Sequence, residues 1–242
     1  MTPSPLLFVL VSPVFFCSSL AVDDQPGRLL FSDDFERTES QEQKDEIGNG
    51  WGSNSARRAQ GNKQVDLRDG AMYISMHKLA DHAVSVTHPA EFTDGSVRLK
   101  FKLEHKSDSL GLNFADLKFK EVWAGHLFVV RVNPREVQLQ DLKTGNMDLE
   151  IRRHRQAKKL TPEQHKMLKT KVRKQKHALT VGEWHTLQVD IEGPQLTLRI
   201  DDKQVSQFTS DGIAHPTKRL LRLSVPRQAV VDEVRIYSRD EE

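Results

Sequence analysis

Cysteine is nearly absent from this 242-residue chain: its one thiol, Cys17, falls within the first 21 residues. A lone thiol excludes an intramolecular disulfide, and its position removes thiolate metal sites and a cysteine nucleophile from the rest of the chain. Neither sign of charge is in large excess. Lys and Arg number 36 against 34 Asp and Glu, a formal net charge of +2. Long apolar runs are missing beyond residue 21, so no later segment supplies the ~20 residues of a membrane span. Aromatic residues make up 7% and hydrophobic residues 37%, enough to bury one core and too much for a disordered chain.

What is present begins with residues 1–21, an uncharged stretch rich in Leu, Val and Phe that ends in Ser19-Leu20-Ala21. This predicts a secretory signal peptide cleaved after Ala21, and an exported chain, periplasmic or secreted, without thiols. Val14-Phe15-Phe16 lacks the small residue expected before a lipid-modified Cys17. Residues 22–242 then form the mature domain.

From Arg28 to Leu142 and again from Val181 onward, short alternating runs are separated by Gly, Asp, Asn or Pro, the rhythm of an antiparallel sandwich. Val97, Leu99, Phe101 and Leu103 alternate with Arg98, Lys100 and Lys102; Leu187, Val189 and Ile191, and then Leu196, Leu198 and Ile200, repeat the pattern. Leu127 to Val132 is apolar on both parities except for Arg131, which predicts a central strand. One region departs from this rhythm. Arg152 to Lys176 holds eleven Lys or Arg and a single acid, Glu163, a surplus of ten that leaves the rest of the chain at −8 for a total of +2. Thr161-Pro162-Glu163-Gln164 reads as a capping box with proline in the first turn, predicting a helix from about Pro162 to Leu179 within a basic insert at about 152–180. Its apolar stripe of Leu168, Val172 and Leu179 is narrow, so it is expected to rest on the sandwich as an appendage.

Several landmarks together resemble the concanavalin A-like lectin/glucanase superfamily, in particular its exported laminin-G-like and 3-keto-disaccharide-hydrolase-like branches. They are Leu30-Phe31-Ser32-Asp33-Asp34-Phe35-Glu36-Arg37, Gly50-Trp51, Asp69-Gly70-Ala71-Met72-Tyr73-Ile74, Gly182-Glu183-Trp184-His185-Thr186-Leu187 and Val231-Asp232-Glu233-Val234-Arg235-Ile236-Tyr237. The resemblance implies an all-β fold, a two-sheet antiparallel jelly-roll sandwich whose first and last strands pair and whose concave sheet meets carbohydrate. Gly70 and Asp232 match positions where relatives hold a structural calcium, and oxygen ligands suit that ion.

The superfamily's glucanase strand, Glu-x-Asp-x-Glu, is missing. Its nearest match is Asn146-Met147-Asp148-Leu149-Glu150, with Asn in place of the nucleophile. Retaining hydrolysis needs two carboxylates about 5–5.5 Å apart, so that mechanism is not expected. Neither His-Glu-x-x-His nor His-x-His occurs, so no transition-metal site is indicated. Asp81, His82, Asp116 and His126, should the chain be an enzyme, are the residues expected to gather for acid–base chemistry. Trp123 and Arg131 are the expected sugar contacts. Trp184 is read as packing over the sandwich edge, and Gly48-Asn49-Gly50-Trp51-Gly52 as a flexible loop. Lys166, Lys169, Arg173 and Lys176 in the basic insert are expected to meet an acidic glycan or cell-envelope group; nucleic acid is disfavoured because no aromatics are interleaved among them. The sequence therefore predicts an exported carbohydrate-binding or interaction module, with a glycoside-cleaving enzyme as the alternative.

Overall fold

A computed structural model describes residues 27–240. The expected signal peptide and its cleavage point lie outside the described residues. In chain order the strands are β1 (Arg28–Asp33), β2 (Gly52–Ser53), β3 (Val65–Arg68), β4 (Ala71–Ser75), β5 (Val84–Phe92), β6 (Gly95–Lys102), β7 (Leu110–Ala115), β8 (His126–Val132), β9 (Glu136–Asp141), β10 (Val172–Lys176), β11 (Trp184–Glu192), β12 (Gln195–Ile200), β13 (Lys203–Thr209), β14 (Lys218–Val225) and β15 (Gln228–Ser238). The helices are α1 (Ser55–Arg58), α2 (Leu149–Gln156) and α3 (Pro162–Thr170).

The strands form two antiparallel sheets. The first runs β13-β12-β11-β6-β15-β4-β3, with β1 also pairing β15, and the second runs β10-β9-β8-β7-β14-β5-β2. Arg28 lies opposite Ser238, so the first and last strands pair as the resemblance implied. Alternation decides which side chains meet between the sheets. Val97, Leu99 and Phe101 are buried while Arg98, Lys100 and Lys102 between them remain partly exposed. From the second sheet Leu112, Phe114, Phe128 and Val130 fill the same core, where the Phe114 and Phe128 rings stack 4.7 Å apart.

Every residue of β7 is buried, those between the core positions included. Material therefore covers the outward face of the second sheet at this point. Part of that cover is the segment between β9 and β11, and here the structure corrects the expected helix. Thr161 and Gln164 form the reciprocal capping box, yet α3 stops at Thr170 and Val172–Lys176 is extended, pairing with the edge strand β9. The reason is electrostatic as well as hydrogen-bonding. A helix continued to Leu179 would stack Lys169 on Arg173 as a like-charge i,i+4 pair, whereas the extended form separates the charges and supplies donors and acceptors to β9. α2 was not foreseen at all. Asp148 caps it by accepting from the Glu150 and Ile151 amides, so the tract that loosely matched the glucanase strand is a helix start.

Two aromatic residues also depart from expectation. Trp51 is buried in the core and its Nε1 donates to Asp33 Oδ2 at 2.8 Å, so the glycines around it frame an anchored ring. Trp184 is 44% exposed and has the Lys102 ammonium 5.4 Å from its ring centre; it packs over the edge far less than predicted.

Candidate functional site

Cross-strand register sets the outward face of the second sheet. Arg222 on β14 lies opposite Asn113 on β7, which lies opposite Val129 on β8, which lies opposite Gln140 on β9. Two residues further along, Ser224, Gly111, Arg131 and Gln138 form the next row. Strand parity would turn His126 away from Arg131. A β-bulge prevents this: Phe114 pairs with Phe128 but Ala115 pairs with His126, leaving Leu127 as an extra residue. Leu127 and Phe128 both enter the core, and His126 swings onto the outward face beside Val129 and Arg131.

The resulting pocket has a volume of about 290 Å³, near the lower end of ligand pockets at ~300 Å³. His126, Asn113, Arg222 and Arg131 lie on its floor; His82, Met147 and Arg155 lie around it. None of the residues lining it is a carboxylate. Asn113 Oδ1 is 2.9 Å from His126 Nδ1, and an Arg222 Nη lies 2.9 Å from Nδ1 and 3.3 Å from Nε2. Arg222 can only donate, and Asn113 Oδ1 accepts from the same Nη at 3.3 Å. Burial, and after it the charges of Arg222, His82 and Arg152, push the imidazole down to about 4. It is neutral at pH 7. Burial alone lowers Arg131 and Arg222, because no acid stands near enough to oppose it. Trp123, whose amide donates to the carbonyl of the lining residue Met147, is half exposed, with the Arg152 guanidinium 4.2 Å from its ring centre.

The expected acid–base group therefore divides. His82 and His126 line the same pocket, but Asp81 is exposed and ion-pairs Arg58 at 3.2 Å. Asp116 is buried and accepts from the Lys118 amide at 2.8 Å, Arg219 at 3.0 Å and His215 at 3.2 Å. Burial works against its ionisation, but these donors outweigh it and hold the carboxyl below its usual range. Neither aspartate serves His126. The cause is long-range: His215 and Arg219 come from a segment about a hundred residues away that no local pattern joins to Asp116. The same segment contains Lys218, buried and donating to the His215 and Thr93 carbonyls, and Gly212, whose amide donates to the buried Asp141. Its role is to lock the sandwich corner.

Asn113, Arg222 and Arg155 escaped sequence reasoning. The signal available for the first two was a polar residue alternating within Leu112–Phe114 and Leu221–Leu223, on a sheet buried from both sides.

Of the basic residues, Lys166 and Lys169 are exposed on α3, while Arg173 and Lys176 are on β10. Lys176 lies opposite Glu136 and so shares the groove side with Gln138 and Gln140; Arg173, opposite the core residue Leu139, faces the other way.

Gly70 lies in the turn from β3 to β4, where the Glu36 carboxylate packs against it. Asp232 precedes a bulge in β15 at which Glu233 takes a φ of 46°. Burial, then the neighbouring charges of Glu233 and Glu36, raise the Asp232 carboxyl. Two crowded carboxylates fit a hard cation, although among the described residues no three His, Cys, Asp or Glu side chains form a ligating group.

Among solved structures the chain is similar to the β-glucanase of Bacillus licheniformis, with a TM-score of 0.59 at 12% identity over 89% of this chain and 100% of that one. It is also similar to the laminarinase of Rhodothermus marinus, with a TM-score of 0.58 at 12% identity over 88% and 98%. The carbohydrate-binding module CBM66 of Bacillus subtilis gives 0.50 at 12% identity over 76% and 93%. These likenesses establish the concanavalin A-like jelly roll. No curated protein matches. A family model matches residues 40–231, most of the sequence and all of the groove, and the chain belongs to the 3-keto-alpha-glucoside-1,2-lyase-like domain family.

Proposed function

We propose that the protein is an exported carbohydrate-binding module that holds a glycan in the groove over the second sheet. The observation that carries this reading is a preformed pocket whose floor is polar but without a carboxylate, with the half-exposed Trp123 joined through its amide to the pocket residue Met147. Asn113, Arg222 and Arg131 offer hydrogen bonds to hydroxyl oxygens, and Trp123 offers a ring face to the apolar side of a pyranose. The fold's known neighbours include both binding modules and glucanases, and only the site separates these roles. Here the two-carboxylate constellation is replaced by one neutral imidazole. Among the described residues no helix is long and apolar enough to cross a membrane.

A second reading follows from that imidazole. A neutral His126 lining the pocket has the character of a base for a carbon acid, and a guanidinium beside it would stabilise an enolate. On a 3-keto glycoside the proton on the carbon between the ketone and the anomeric carbon passes to the imidazole, and the C–H pair forms the C=C of an enolate whose oxygen takes the carbonyl pair. The oxygen then re-forms the ketone, the C=C pair shifts toward the anomeric carbon, and the glycosidic C–O bond breaks with its pair on the leaving oxygen, which takes the proton back from the imidazolium.

One experiment separates the two. The purified protein is incubated with a glycan panel that includes 3-keto disaccharides, and both retention and product are scored for wild type, Trp123→Ala and His126→Ala. Retention without product, weakened in Trp123→Ala, supports the binding module. Product that disappears in His126→Ala establishes the lyase, and an absence of both defeats the groove as a glycan site.

A further inference from the structure

Arg131 belongs to two hollows at once. Besides the His126 pocket it lines a more open one of about 700 Å³ with Lys106, Arg135 and Lys176. The two hollows meet at Arg131, and the stretch of chain lining them along β8, from His126 to Asn133, spans ~24 Å at ~3.4 Å per residue. Six cations mark its course: Arg155, Arg222, Arg131, Arg135, Lys106 and Lys176. Among the described residues none of the six has an ion pair. The two acids lining the open half are already engaged. Glu136 holds Lys174 at 3.2 Å, and the buried Asp108 accepts from the His105 amide and faces Arg227 at 3.7 Å.

Several half-buried cations elsewhere have acids of their own. Arg37 is bidentate on Asp33, Lys63 sits between Glu39 and Asp66, and Arg219 bridges Asp116 and Glu91. A half-buried guanidinium left without an acid is costly, and the cost is relieved when a ligand brings the opposite charge. The planar fork of arginine suits a carboxylate, which it meets with two parallel hydrogen bonds. Aromatic rings do not accompany the track beyond Trp123 at one end, so the stacking platform of a single-stranded nucleic acid is missing.

We propose that the groove binds a linear acidic polysaccharide, a uronate chain whose carboxylates lie along the cations from Arg155 and Arg222 through Arg131 to Lys176 and Lys106. This rests on the glycan-binding reading above. It also relocates charge recognition from the outer helix α3 to the sheet floor.

The test is titration calorimetry of the whole protein with polygalacturonate, a sulfated galactan, a neutral β-1,3-glucan and single-stranded DNA. Polygalacturonate is expected to bind most tightly, and its affinity to fall between 0.1 and 1 M salt as the Debye length shrinks from ~10 to ~3 Å. Arg131→Gln should weaken it about 10- to 100-fold, the loss of one charge-assisted contact. The surface pair Lys106→Gln with Lys176→Gln leaves the core untouched and should also weaken binding, whereas Lys166→Gln with Lys169→Gln should not. Equal affinity for the neutral glucan, indifferent to salt and to Arg131, would overturn the acidic-chain proposal while leaving a glycan groove. A preference for the sulfated galactan or for DNA overturns it as well. If no glycan binds, the broader reading fails with it.

Discussion

His126 provides a quantitative test of the groove's electrostatics. Its folded pKa of about 4, set by burial and then by Arg222, compares with ~6.5 for the unfolded chain. Between these values the unfolded state binds a proton that the folded state refuses, so stability rises with pH across this window and is lost on acidification. The contribution is fully present above pH ~6.5, costs about 2 kcal/mol by pH 5 and ~3 kcal/mol below pH 4. Acid unfolding has other contributors, since His88, His177 and His215 are also lowered by burial, and His126→Gln isolates the relevant one. Glutamine can still hydrogen-bond Asn113 but does not titrate. Urea unfolding followed by circular dichroism at pH 7.5 and at pH 5, on both proteins, gives the difference of differences. Wild type should lose about 2 kcal/mol more than the variant over this interval. Parallel losses would show that the imidazole protonates freely in the folded protein. A smaller loss in wild type would require a carboxylate at the ring, and the acid-free description of the pocket would be wrong.

Three further outcomes are expected. Asp116→Ala should destabilise the fold by about 1–3 kcal/mol, because it leaves the buried His215 without its partner and Arg219 with Glu91 alone, yet should leave glycan retention intact at temperatures where the variant is folded; lost retention in a stably folded variant would return Asp116 to the site. Calcium expected at Gly70 and Asp232 predicts a melting temperature raised by calcium and lowered by chelator in wild type but not in Asp232→Asn, with ~2.7 kcal/mol gained at a hundredfold excess over Kd; coincident melts remove the ion. N-terminal sequencing of exported protein should begin at Val22, and a retained Cys17 would contradict cleavage after Ala21.

Strands such as β6, β11 and β12 were legible because their register against the core repeats every second residue, and the capping box at Thr161 because it closes within four residues. What escaped was set at a distance. The extra residue Leu127 is visible only against β7, and it inverts the side on which His126 emerges. Asp116 was read as available, but its donors arrive from His215 and Arg219. The end of α3 depended on an unpaired edge at β9, which a helix propensity argument cannot see. The place of Arg131 on a central strand was legible from alternation; that of Arg222 beside His126 needed the neighbouring strand.

The pairing of β1 with the end of β15 has an engineering consequence. Arg28 and Ser238 face each other across one ladder of the first sheet, while the groove opens from the second. A tether at either end therefore joins the sheet opposite the one that carries the groove. Anchored to a bead, a fusion partner or a cell surface, the domain would present its groove outward whichever end carried the link. A short peptide joining the two ends, with the chain reopened at the Gly193–Pro194 hairpin, would yield a circular permutant that keeps the same floor of arginines.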